Sequence, residues 1–191
     1  MTKDEILTIF EESGGILKGH FRLTSGRHSD QYMQCAKLFV NPDHSEKLCA
    51  CLADKLRNLK IDVVASPAVG GIIMGYVMAK HLKTSNVFIE RSDGVMQLRR
   101  GFHIEKGAKV LVVEDVVTTG GSVREVIELI ESMGAEVIAV ASIVDRSNGR
   151  TNFGRDFYSL LSIDVQSYEE AECPLCKAGI PVEKPGSRHL K

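Results

Sequence analysis

The chain has 191 residues, with 24 Lys+Arg against 25 Asp+Glu, 43% hydrophobic and 26% charged residues. That length suits one globular domain, able to bury about 70% of its extended surface without metal or disulfide staples. A net charge of −1 removes the electrostatic reason to expect nucleic-acid or membrane-surface binding. A small anionic ligand stays open, because a phosphate site needs only a few local donors.

Thr2 followed by Glu5 is a capping-box pattern, and Ile6, Ile9 and Phe10 recur at helical spacing, so a first helix is expected to run to Ser13. Its start, MTKDEILTIFEESGG, carries acids and no apolar run, unlike a signal peptide. Residues 16–40 hold short apolar runs broken by SGRHSD and read as short strands and turns. Asn41-Pro42 restarts the chain, and 43–59 reads as an amphipathic helix with Leu48, Leu52, Leu56 and Leu59 on one face. IDVVAS (61–66), NVFIE (86–90), KVLVVEDV (109–116), EVIAVASIV (136–144) and FYSLLSIDV (157–165) read as strands, with helices over 72–82 and 122–133. The charge-free run from Val63 to Ala79 approaches membrane-span length, but Pro67, Gly70 and Gly71 interrupt it. It reads as a buried strand, a tight loop and a helix. Apolar strands separated by helices predict an α/β fold with a parallel sheet flanked by helices. No linker or repeat divides the chain, so 1–191 is expected to be one domain. Its core covers about 41–165, and 1–40 with 166–191 are left over as an appendage.

In such a sheet a ligand sits beyond the carboxyl ends of the strands. The loops there are SPAVGG (66–71), ERSDGVMQLRRGFH (90–103), EDVVTTGGS (114–122) and DRSNGR (145–150). The third carries most information. An apolar strand delivers Glu114 and Asp115, followed by Val116, Val117, Thr118, Thr119, Gly120, Gly121 and Ser122 at the start of a helix. Glycines let backbone approach a phosphate, hydroxyls add donors, and a helix N-terminus carries unpaired N–H groups. Two carboxylates beside it suit the hydroxyls of a sugar. TTGGS alone is equally consistent with an ordinary strand-to-helix turn; acids at the end of an apolar strand favour the ligand, because they are costly there unless used. Neither GxxxxGK[ST] nor GxGxxG is present.

VLVVEDVVTTGGSV resembles the phosphoribosyl-diphosphate (PRPP) motif of type I phosphoribosyltransferases. FRLTSGRHSDQY (21–32), SPAVGGIIMGY (66–76), ERSDGVMQLRRGF (90–102), VDRS (144–147) and CPLCKAGIPVEKPGSR (173–188) narrow the resemblance to the bacterial orotate phosphoribosyltransferases, over nearly the whole chain. The resemblance implies a type I fold whose N- and C-terminal segments form a small hood. It also implies Mg²⁺-dependent transfer of the phosphoribosyl group from PRPP to orotate, giving orotidine 5′-phosphate and diphosphate in pyrimidine (UMP) synthesis. Glu114 and Asp115 would contact the ribose hydroxyls, and Thr118 to Ser122 the 5′-phosphate, with Val116, Val117 and Arg91 in the same PRPP set. Ala68, Val69, Gly70 and Gly71 would hold the diphosphate. Thr118, Arg146, Ser25 and Gly26 would meet orotate, Arg146 because its planar fork matches a carboxylate. The polar loop 91–103 would be a mobile cover. Its Arg99 and Arg100 would act with Asp115 as the catalytic set and would reach the neighbouring site of a homodimer. Mg²⁺ would be held mainly by substrate and water, with no direct protein ligand assigned. Two positions depart from many relatives: Thr24 and Gly70 stand where lysines are common. The covering loop is also shorter and has no lysine between Arg91 and Glu105. The alternatives are another type I enzyme acting on a purine or uracil, or a PRPP-sensing regulator. The charge balance and the lack of a spare domain disfavour the regulator.

Five cysteines, at 35, 49, 51, 173 and 176, are an odd count, which favours a reducing cytoplasm over a disulfide framework. Cys173-Pro-Leu-Cys176 has metal-ligand spacing. A structural zinc needs four ligands, however, and the only other close cysteine pair, Cys49-Ala-Cys51, has one intervening residue. Both pairs are therefore expected to be reduced thiols in packed or turn positions.

Overall fold

The computed structural model describes residues 1–23, 25–163 and 166–185. Helix α1 (Lys3–Glu12) opens on the capping box: the Thr2 hydroxyl accepts from the Glu5 N–H, and the Glu5 carboxylate accepts from the Thr2 N–H at 2.7 Å. Strands β1 (Ile16–Arg22) and β2 (His28–Met33) pair antiparallel, with an irregularity in register between Lys18 and Phe21. A 3₁₀ turn over Cys35–Phe39 leads to α2 (Pro42–Lys55), whose Asn41 cap accepts from the Asp43 N–H. Helix α2 stops at Lys55, short of the expected Leu59. Leu56 is nevertheless fully buried and Leu59 packs against the core, so the apolar period continued through a turn that still faces inward.

The remaining elements are β3 (Val63–Pro67), α3 (Gly71–Leu82), β4 (Ser85–Ser92), β5 (Val95–Leu98), β6 (Lys109–Val117), α4 (Gly121–Ser132), β7 (Glu136–Asp145), β8 (Asp156–Ser162) and a single turn α5 (Pro174–Lys177). The last strand ends at Ser162; Asp164 and Val165 of the expected strand lie outside the described residues. The sheet order is β5-β4-β3-β6-β7-β8, parallel throughout except for β5 at one edge. Successive side chains alternate between faces. Val64, Leu111, Val113 and Ala141 join α1, α2 and α3 in one core, while Val63, Ala65, Val110, Val112 and Val140 pack with α4 in the other. Both faces are covered, which explains why the strands are apolar throughout. Among the described residues no helix is long and apolar enough to cross a membrane. The charge-free run is β3, a tight turn and α3.

Residues 91–103 differ from the open polar loop expected. Most of the segment is a hairpin: β4 turns back into β5 through Asp93 and Gly94, both at positive φ. Two central residues at positive φ are what a tight hairpin turn needs, and Asp-Gly supplies them readily. Met96 is buried beneath it, and Phe88 and Phe102 meet edge to face at 5.0 Å.

The tail returns to the N-terminal hairpin. Arg22 N–H donates to Glu183 O, Glu183 N–H to His20 O, and His28 and Tyr168 exchange two backbone bonds. Arg27 adds side-chain bonds to Ser167 and an ion pair with Glu169.

Candidate active site at the carboxyl ends of the strands

Chain order reverses between β3 and β6. From β3 the chain passes outward to β4, and from β6 outward in the other direction to β7. The loops that follow two adjacent strands therefore diverge there and leave a crevice, the usual ligand position in an open α/β sheet. Residues 68–71 leave β3 and residues 118–122 leave β6, so the topology places both expected PRPP loops at one crevice.

The first loop runs against the end of β6. A Cβ on Gly70 would lie 3.5 Å from Asp115 Oδ1, so this backbone runs directly beside the carboxylate. Gly71 cannot carry a side chain, because its Cβ would fall 2.9 Å from Ser66 Cβ. The Ala68–Val69 peptide is cis. In the second loop Gly120 caps α4 at φ 76°, and a Cβ there would strike the Phe153 ring at 2.8 Å and Thr151 at 2.9 Å. Glycine is required at that position twice over, by conformation and by space. Thr118 and Thr119 are exposed on the loop. Arg124 fastens it, donating to Thr119 O at 2.6 Å and to Asn152 O while lying over Phe153. The first turn of α4 has N–H groups without helical acceptors, and its dipole favours an anion. Phe153 and Arg124 shape this loop, and no sequence motif marked either.

Asp115 is 8% exposed, and burial pushes its carboxyl above the usual aspartate range, opposed by the Val116 N–H that it accepts at 2.8 Å and by a bond with Glu114. Glu114 is half-buried beside it. Strand β6 carries both acids within its pairing to β7, since Glu114 faces Ser142 and the ladder runs on to Val117. They belong to the rigid sheet rather than to a loop.

Arg146 follows β7 and donates its backbone N–H to Val117 O at 2.8 Å. Asp145 organises the turn by accepting from the N–H groups of Ser147 and Gly149. The Arg146 guanidinium is largely buried, which pulls its pKa down, and its buried Nε has no hydrogen-bond partner. A buried guanidinium nitrogen with nothing to donate to is costly, and an anion would satisfy it. The charges of Asp115, Arg146 and Glu114 all act on the buried Cys35 thiol, whose pKa burial first and these acids next push far up. Cys35 begins the 3₁₀ turn after β2, so the N-terminal segment closes over this neighbourhood.

The arginines of the β4–β5 hairpin are engaged elsewhere. Arg100 forms a two-point pair with Glu90, both bonds 2.8 Å, and lies over Phe88. Arg91 bonds Gly94 O and pairs with Glu125 of α4 at 2.7 Å. Arg99 is exposed and adds only a longer-range attraction to Glu90. Ser25 and Gly26 sit at the tip of the β1–β2 hairpin, with Gly26 at φ 84°. Thr24 lies outside the described residues.

Residues 41–174 match the family model for the phosphoribosyl transferase domain. The chain is 56% identical over 190 residues to the orotate phosphoribosyltransferase of Caldanaerobacter subterraneus subsp. tengcongensis, covering 100% of both. It is 53% identical over 186 residues to that of Thermotoga maritima, covering 97% of this chain and all of the relative. The crystal structure of orotate phosphoribosyltransferase from Aeropyrum pernix superposes with a TM-score of 0.71 at 24% identity, over 83% of this chain and 93% of that one. At that identity the superposition speaks for the fold alone. Together, the switch-point cradle and the full-length identity establish that the chain belongs to the orotate phosphoribosyltransferase family.

Proposed function

We propose that this chain transfers the 5-phosphoribosyl group from PRPP to orotate, giving orotidine 5′-phosphate and diphosphate for pyrimidine nucleotide synthesis. The observation that carries the choice of base is Arg146. A sugar-phosphate cradle would serve any nucleobase, but a buried guanidinium with an unpartnered Nε calls for an anionic one, and orotate bears a carboxylate. A neutral purine or uracil could accept a hydrogen bond from that nitrogen, but it would bring no negative charge to the buried guanidinium.

In this reading Asp115 and Glu114 accept from the ribose hydroxyls, the 118–122 loop and the N-terminus of α4 hold the 5′-phosphate, and residues 68–71 face the diphosphate. Thr118, Ser25 and Gly26 complete the orotate side. Breaking the C1–diphosphate bond builds positive charge on the ribose and negative charge on the leaving group. The chain must therefore position both substrates and neutralise the departing oxygens. Arg99 and Arg100 supply that neutralisation from the hairpin, with Arg91 at its base; Arg100 exchanges Glu90 for diphosphate to do so. The cradle offers carboxylates, hydroxyls and backbone carbonyls, and glycine at 70 keeps a side chain from standing against the Asp115 carboxylate; such oxygen ligands fit Mg²⁺. Bound mainly through substrate and water, with Asp115 alongside, Mg²⁺ would offset charge on the diphosphate.

The working assembly is a homodimer. Val69 just before α3, with Ile73 and Tyr76 on it, are 82%, 50% and 66% exposed, an apolar face that a second copy would cover and from which the hairpin could reach across. A single domain of 1–191 in the reducing cytoplasm completes the reading, with none of the five cysteines in a disulfide. The test is incubation with PRPP and orotate, uracil or adenine, with and without Mg²⁺. Orotate absorbance should fall only with PRPP and metal together, and turnover of adenine or uracil in place of orotate would overturn the assignment.

A further inference from the structure

Four side chains from distant parts of the sequence converge outside the PRPP cradle. His20 (3% exposed) lies on β1, His28 (2%) opens β2, Cys173 is fully buried just before α5, and Cys176 is within α5. Their ligating atoms all lie within 4.8 Å of one another. His20 Nε2 is 2.9 Å from His28 Nδ1 and 3.6 Å from each cysteine Sγ, and His28 Nδ1 is 3.2 Å from Cys176 Sγ. Tetrahedral zinc with Zn–N of about 2.0–2.1 Å and Zn–S of about 2.3 Å has edges of roughly 3.3 Å for N–N and roughly 3.6 Å for N–S. Of the six edges of that tetrahedron, the two from His20 Nε2 to the sulfurs match, His20–His28 and His28–Cys176 are about 0.4 Å short, and the remaining two are no longer than 4.8 Å.

The surroundings fit as well. His20 Nδ1 lies 2.7 Å from Ile180 O. A carbonyl can only accept, so the proton is on Nδ1 and the Nε2 lone pair points into the cluster. Such a carbonyl partner is the usual support behind a metal-bound imidazole. Cys173 and Cys176 sit on one tight turn, where Lys177 N–H bonds Cys173 O at 3.1 Å and Gly179 N–H bonds Cys176 O at 3.0 Å. Two thiolates and two neutral imidazoles select zinc among common divalent ions. Their complex with Zn²⁺ carries no net charge, so it can be buried without an unpaired ion.

We propose that His20 Nε2, His28 Nδ1, Cys173 Sγ and Cys176 Sγ form a structural Zn²⁺ site that clamps the C-terminal tail onto the N-terminal hairpin. On loading, the two thiols release two protons to solvent, His28 keeps its proton on Nε2, and four coordinate bonds form without redox change. A search confined to cysteines misses this site, because its other two ligands are histidines 145 or more residues earlier in the chain. The clamp sits where the backbone already zips, beside the bonds between His20 and Glu183 and between His28 and Tyr168. The two histidines flank the 21–27 segment, so the metal would also fix the turn that carries Ser25 and Gly26.

The test uses the full chain without an affinity tag, expressed with zinc in the medium and measured by elemental analysis. About one zinc per chain is expected for the wild type and for the Cys51→Ser control, and less than a tenth of that for Cys176→Ser and His28→Asn. Since those variants could fail to fold, the wild type is also stripped with a chelator under reducing conditions. Its Tm should fall by roughly 5 °C or more and recover with Zn²⁺ but not Mg²⁺. Cobalt should give the visible absorption of a tetrahedral thiolate site. Zinc-free wild type that takes up no metal after reduction, or a Cys173–Cys176 disulfide in protein handled without air, overturns the proposal. A rise in orotate KM on stripping is a further expectation that rests on the role given to Ser25 and Gly26; the metal content does not, so the two readings fail separately.

Discussion

Asp115 and Arg146 stand at the ends of two central strands, whereas Arg91, Arg99 and Arg100 ride on a hairpin at the edge of the same sheet. The first pair is buried, and burial displaces both pKa values toward neutrality of the group. The second set is exposed, and Arg91 and Arg100 are tied to nearby glutamates. Buried groups held by a parallel sheet are aimed in advance and cost stability in proportion to their desolvation. Surface ion pairs are weak and screened by water, so their arginines can change partners at little cost. On the proposed reading the work divides accordingly: recognition of base and ribose would be rigid, and neutralisation of the leaving group movable.

The sharpest way to break that division is Arg146→Ala. Loss of a charge-assisted, two-point contact to an anion should lower kcat/KM for orotate by about 10²–10³-fold, with Tm unchanged or raised because an unsatisfied buried cation is gone. Arg146→Lys should not restore activity, since a point charge lacks the planar fork. Steady-state kinetics beside thermal melts would expose the opposite pattern, a large fall in Tm with orotate affinity intact.

Asp115→Asn comes next, with an expected loss of about 10–100-fold read mainly in PRPP turnover. Its pH behaviour carries a definite sign. The folded carboxyl is displaced upward, so its charged, hydroxyl-accepting form appears only above the ordinary aspartate range. The acid limb of kcat/KM should therefore lie higher than usual and vanish in the variant. Stability runs the other way: between the ordinary and the raised value the unfolded chain has lost a proton that the folded chain keeps, so this group's contribution falls as pH rises.

A smaller, structural contrast uses glycine. Gly120→Ala should destabilise the chain by about 1–3 kcal/mol and raise the KM for PRPP, because a Cβ would meet Phe153 and Thr151. Gly101, at φ 72° on the hairpin side with nothing within 4 Å, should cost only the conformational part, about 1 kcal/mol. Equal costs in chemical denaturation would remove the distinction between a packed cradle and an open arm. The smallest effect should be Arg100→Ala, a fall of about 10-fold in kcat with little change in Tm, and Glu90→Gln should leave Tm equally unmoved. A melt that collapses in either variant would make this pair a structural bond rather than an exchangeable one.

The sequence carried local information well, for stated reasons. Strand and helix periods, the Thr2–Glu5 box, the Asn41 cap and the apolar β6 ending in two acids are short-range patterns, and each element formed within a few residues of expectation. The hairpin at 93–94 was legible too, since Asp-Gly is a turn signal, but the polar composition of 91–103 drew the reading toward an open loop. The family likeness was likewise a matter of contiguous motifs such as EDVVTTGGS.

What the sequence by itself could not supply is everything that depends on which distant residues meet. No local pattern says that Arg146 is buried with a bare Nε, that Gly70 runs beside Asp115, that Phe153 supports the 118–122 loop, or that Arg100 is held by Glu90. A near-neutral chain of single-domain length gives no electrostatic reason to expect polyanionic partners, because global charge sets long-range fields. The positions of individual charges are set by packing. Likewise, Cys173 and Cys176 look like half a metal site along the chain; only the pairing of a C-terminal tail with an N-terminal hairpin brings two histidines to complete it.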